Sequence, residues 1–123
     1  MKYYENGIYP IGLVLSYDVE SVNKEYWYKS DEGLVDVPEK KHQEASTYRL
    51  TRRTDCYYAM AVGIVFNKPI HPRLAAHEAF HAASFMMDRL GIPLTNYSDE
   101  AWAYLIGWIT DCIDKFAKEN ETD

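Results

Sequence analysis

His77-Glu78-Ala79-Phe80-His81 are the residues of this chain whose types and spacing can do chemistry. On a helix, positions i and i+4 lie on one face, one above the other. His77 and His81 could therefore offer two imidazole nitrogens to one divalent ion. Glu78 stands one residue on, where it could polarise a water held by that ion. The pattern H-E-x-x-H is the layout for metal-assisted hydrolysis, with zinc as the expected ion. A catalytic zinc needs a third protein ligand and one open position. The candidate is Glu100, 19 residues after His81. Asp99 competes for that role, and an acid in a first helical turn also has the plainer role of favouring the helix dipole.

The elements that must position these residues follow from the pattern of side chains. Pro72 fits the first position of a helix, and that helix is predicted to run to about Leu90. Its uncharged positions, from Ala75 to Met87, go all the way round, which predicts a buried helix with His77, Glu78 and His81 as its polar cluster. His71, just before it, reads as a cap or surface residue. Gly91 and Pro93 end the helix. Ser98 is an N-cap for a second helix running to about Lys118, with an apolar stripe from Trp102 to Phe116. A tight hairpin of two helices would place Glu100 near the far end of the first, so Glu100 must be brought back by an oblique crossing or by the loop 91–97. Tyr104, one turn beyond Glu100, could aim its hydroxyl at the metal or sit in the core. Gly107 on the same face reads as a point of close helix packing.

Upstream, Ile11 to Asp18 alternates as a half-buried strand, and Glu20 to Lys24 reads as a turn. Tyr26 to Tyr28, Leu34 to Val37 and Thr47 to Arg53 are further strand candidates, with Tyr48 and Leu50 facing inward and Arg49, Arg52 and Arg53 forming a solvated face. Tyr57 to Phe66 is the strongest strand. Its bulky face is expected on the helix of the histidines, and its small face (Ala61, Gly63 and Val65) lets a neighbour approach closely. The expectation is one α+β domain over residues 1–123. It has a small antiparallel or mixed sheet of three to five strands in residues 1–67, packed on two helices in 68–118, with a frayed tail at 119–123.

The string His77-Glu78-x-x-His81 followed by a helix-borne Glu100 resembles the gluzincin metallopeptidases, the thermolysin-like clan, over about Pro72 to Asp111. The resemblance implies a zincin-like fold, zinc held by His77, His81 and Glu100, and Glu78 as general base. It also implies that the loop between the helices returns Glu100 to the metal. The chain departs from the thermolysin-like pattern three and four positions beyond the glutamate, where Ala103 and Tyr104 replace a Ser-Asp pair. Asp99 to Tyr104 is similar to the glutamate helix of repressor-cleaving peptidases of mobile elements. Tyr-Leu-Ile-Gly-Trp at 104–108 resembles short phage and prophage proteins of the H-E-x-x-H type.

The net charge of −6 and an ordinary charged fraction of 26% argue against nucleic acid as the partner. There is no apolar run long enough for a membrane span, and Met1 to Pro10 has no signal-peptide core. The cytoplasm is the default, which predicts Cys56 and Cys112 to be free thiols. The function expected is hydrolysis of a peptide or protein substrate by a small zinc metallopeptidase. Tyr97, Tyr104 or the pair Tyr57-Tyr58 could donate to the oxyanion. The alternatives are a zinc-binding protein without catalysis, and a binding or assembly module without metal. A homodimer and a monomer are equally compatible with Trp102 and Trp108.

Overall fold

The computed structural model describes residues 1–54 and 60–120. The chain is α+β and divides into two compact units, Met1–Lys68 and Pro69–Asp123. The first carries a six-stranded mixed sheet and a short helix; the second carries two long helices.

The strands are β1 (Lys2–Tyr4), β2 (Gly12–Ser16), β3 (Tyr26–Ser30), β4 (Gly33–Val35), β5 (Ala45–Arg52) and β6 (Met60–Phe66). They lie in the order β1-β2-β6-β5-β3-β4. Only β2 and β6 run parallel, with Val14 opposite Gly63; every other pair is antiparallel. Two strands differ from expectation. Three apolar-rich residues at the N-terminus pair as β1, which gives six strands rather than five. β2 is buried along its whole length, not half-buried. Its Gly12, Val14 and Ser16 side is covered too, because Val14 packs in the core with Val19, Val22 and Tyr26. The ring of Tyr3 occupies the space above Gly12.

The segment expected as a turn is helix α1 (Val19–Glu25). Its charged residues hid a two-residue apolar anchor, Val19 and Val22, which face the core. Asp18 caps it, its Oδ1 accepting from the Ser21 N–H at 2.7 Å and its Oδ2 from the Ser21 hydroxyl at 3.0 Å. These bonds, the backbone one first, hold the Asp18 carboxyl below its ordinary value. Asn23 reaches out of α1 to grip Val37, donating to its carbonyl at 3.1 Å and accepting from its N–H at 2.7 Å.

The core of this unit gathers Val14, Tyr48, Leu50, Ala61 and Val65 under Val19, Val22, Tyr26 and Val37. The small face of β6 packs in this core, Val62, Ile64 and Phe66 on its bulky face are buried too, and the Leu50 side chain fills the space a Cβ on Gly63 would need. Arg53 is not a solvated residue. Its guanidinium lies 3.6 Å from the Trp27 ring centroid, its Nε donates to the Tyr26 carbonyl at 3.0 Å, and its Nη2 bonds Asp36. Tyr57 and Tyr58, expected at the start of β6, lie outside the described residues, as does Cys56.

Helix α2 (Pro72–Leu90) begins with Pro72 at its first position and His71 as its cap, the His71 Nδ1 accepting from Leu74 N–H at 3.2 Å. It ends at Gly91, whose φ of 72° is left-handed. Gly91 N–H donates to Asp88 O at 3.1 Å and Ile92 N–H to Met87 O at 2.9 Å, the paired bonds of a Schellman end. Helix α3 (Asp99–Asn120) starts one residue after Ser98. The Ser98 hydroxyl turns back into the loop, accepting from Thr95 N–H and donating to Pro93 O, while its carbonyl accepts the first helical bond from Trp102. Most of the expected stripe is inside: Trp102, Leu105, Ile109, Ile113 and Phe116 are buried, and Ile106 at its edge is half-buried.

Candidate metal centre

Helix α2 is not buried all round. Leu74, Ala75, Glu78, Ala79, Ala82, Ala83, Met86 and Met87 are buried, whereas Arg73, Ala76, His77, Phe80, His81 and Asp88 are exposed. The sequence misled because alanine and histidine fit either environment. The burial argument for a metal therefore does not extend to the histidines. Solvent can satisfy the two histidines.

The histidines are brought together all the same. Nε2 of His77 and Nε2 of His81 lie 3.1 Å apart, with ring centroids at 4.7 Å and the planes at 72°. One zinc at about 2.0–2.1 Å from each nitrogen, in tetrahedral geometry, would set them about 3.3 Å apart. The pair therefore fits the ion with a shift of a few tenths of an ångström. The same approach is compatible with a direct N–H···N bond between two neutral imidazoles. Glu78 is 5% exposed. Helix geometry places it about 100° round from His77 and about 60° from His81.

Glu100 lies in the first turn of α3 and is exposed, as is Asp99. Among the described residues no three His, Cys, Asp or Glu side chains stand together as a metal-holding group. The helix pair does bring the start of α3 back along α2. The Trp102 ring lies 6.1 Å from that of Phe80, the residue just before His81 in the motif, and the Phe80 and His81 rings lie 6.4 Å apart. Trp102 Nε1–H donates to Ile92 O at 3.2 Å, tying that turn to the loop.

The chain matches no protein-family model, no characterised protein and no solved structure.

Tyr104 is 71% exposed, so it is not a core tyrosine; it shares the exposed side of α3 with Glu100. Gly107 does not mark close packing: a Cβ there would meet open space. Tyr97, the other described oxyanion candidate, is fully exposed in the loop. Cys112 is free and buried, and burial pushes its thiol up to about 11. The Phe80–Trp102 contact was missed in the sequence, where Trp102 counted only as core. Its signal was Phe80 itself, a large ring on the same face as the two histidines.

Proposed function

We propose that the chain is a small zinc-dependent peptidase of zincin-like type. The reading rests on the 3.1 Å approach of His77 and His81 Nε2 on an exposed helix face. Two imidazoles so placed are open to an ion, to water and to a peptide. Glu100 is the third ligand of this reading. Its side chain is exposed and stands about 200° round α3 from Trp102, the residue that meets Phe80, so holding the ion requires the first turn of α3 to rotate or shift towards the histidines.

Bound zinc would supply a water of pKa about 7 and polarise the scissile carbonyl. Glu78 would serve as the general base beside the ion, holding a proton and passing it to the leaving amine. Tyr104 and Tyr97 are exposed donors in the neighbouring turns that could reach the developing oxyanion. His77 and His81 orient the ion and move no proton.

The test is hydrolysis of a quenched fluorescent peptide library by the zinc-loaded chain. Turnover that disappears with a chelator and returns with zinc supports the proposal. Zinc retained at one per chain without turnover would leave a non-catalytic zinc protein. That second reading is favoured by one observation, the burial of Glu78 on a helix whose histidines are exposed. No zinc retained would leave the imidazole–imidazole bond as the whole of the pair.

A further inference from the structure

Beyond the histidines, a cleft of about 380 Å³ opens where α2 ends and the loop begins. Met87, Ile92, Pro93, Leu94 and Trp102 supply its apolar walls, with Ser84 and Asp88 on the α2 side. We infer that this cleft is a specificity subsite that takes one large apolar side chain of the peptide substrate, two or three residues from the scissile bond. The inference rests on the peptidase reading and adds to it the class of substrate.

Three observations carry it. The first is continuity. His81 touches Phe80, Phe80 touches Trp102, and Trp102 lines the cleft, so an aromatic path leads from the candidate metal position into it. Phe80 is 46% exposed although it is a phenylalanine in a motif, and it leaves an apolar step for a passing peptide.

The second is distance. Ser84 and Asp88 lie three and seven residues beyond His81 on α2, about 4.5 to 10 Å along the helix axis. An extended peptide advances about 3.3 Å per residue. A chain cleaved at the histidine pair and lying along α2 would place its second or third side chain over the cleft, not its first.

The third is chemistry and fixity. The walls combine thioether, aliphatic and indole groups with the polar Ser84 and Asp88 at one side, and the volume lies in the range of small ligand sites. Two walls are held in place: Gly91 and Ile92 by the Schellman bonds, and Trp102 by its bond to Ile92 O. Leu94 is 55% exposed and forms the rim, where a bound side chain would cover it.

The test uses the full, zinc-loaded chain and the capped peptides acetyl-Ala-Ala-Leu-Ala-amide, acetyl-Ala-Ala-Phe-Ala-amide and acetyl-Ala-Ala-Ala-Ala-amide. The indole N–H of Trp102 and the backbone amides of Met87, Ile92 and Leu94 are followed by nuclear magnetic resonance. The Leu and Phe peptides should shift them at least tenfold more tightly than the all-Ala peptide. Leu94→Asp, at an exposed position, should abolish that difference without changing zinc content. If a cleavable library is found, the preference for Leu or Phe should fall at the second or third position from the cut and vanish in Leu94→Asp. Equal shifts for all three peptides, or none at these residues, would overturn the subsite whether or not hydrolysis is seen. Binding without hydrolysis would keep the subsite and remove the peptidase.

Discussion

Glu78 and the two histidines divide the work of the site, and single substitutions separate them. Glu78→Gln should keep one zinc per chain and lower peptide turnover by about 10²–10⁴-fold, the range of a lost general base. Zinc analysis beside a turnover assay reads both. His77→Ala and His81→Ala should each lose the zinc, because one imidazole is no chelate. Glu100→Ala should weaken zinc more than Asp99→Ala. The expected loss exceeds the about 10–100-fold typical of a supporting partner, and competition with a chromophoric chelator would measure it. Equal effects of the two acids would reassign the third ligand. Cys112 makes a different prediction at this scale. Its thiol is raised from 9.0 to about 11 by burial, so the folded state holds the proton longer than the unfolded one. Its contribution is complete below pH 9 and is lost as the pH rises towards about 11. At pH 8 Cys112 should resist alkylation in the folded chain and react once it is unfolded, as peptide mapping would record.

The elements depend on their ends. Asp18 caps α1 through Ser21, and Asp18→Ala should cost about 1 kcal/mol in denaturant unfolding. Because the folded carboxyl titrates below its ordinary 3.8, its charge contributes above that pH. The contribution fades as the pH falls through the lowered folded value. Asp18→Asn keeps an acceptor without a charge, so it should be less stable than the parent at pH 7 and converge with it at acid pH, flattening the acid limb. Gly91→Ala forces a Cβ into a left-handed turn and should cost about 1 kcal/mol. Legibility in the sequence followed the same ends. α2 and α3 were readable because Pro72, Gly91 and Pro93 punctuate them and because Trp102 to Phe116 repeats at helical spacing. α1 was not readable, since seven residues with two apolar anchors resemble a charged turn. The exposure of His77 and His81 was hidden by alanine, which fills buried and exposed faces alike. The Nε2 approach was readable from the i, i+4 spacing alone, whereas the position of Glu100 depends on how the loop 91–98 folds.

The whole chain sets a mixed sheet in Met1–Lys68 and a helix pair in Pro69–Asp123, with all the candidate ligands in the second unit. No helix among the described residues is long and apolar enough to cross a membrane. A ligand that binds only the folded form stabilises it by about 2.7 kcal/mol at a hundred times its Kd. Zinc should therefore slow hydrogen exchange of the amides of α2 and α3, and a chelator should reverse it. The most direct measurement is X-ray absorption at the zinc edge on the loaded chain. Two imidazole nitrogens at about 2.0–2.1 Å, with the remaining donors oxygen, is the result expected. A chain that retains no zinc, or zinc bound through sulfur or without two imidazoles, would contradict the site.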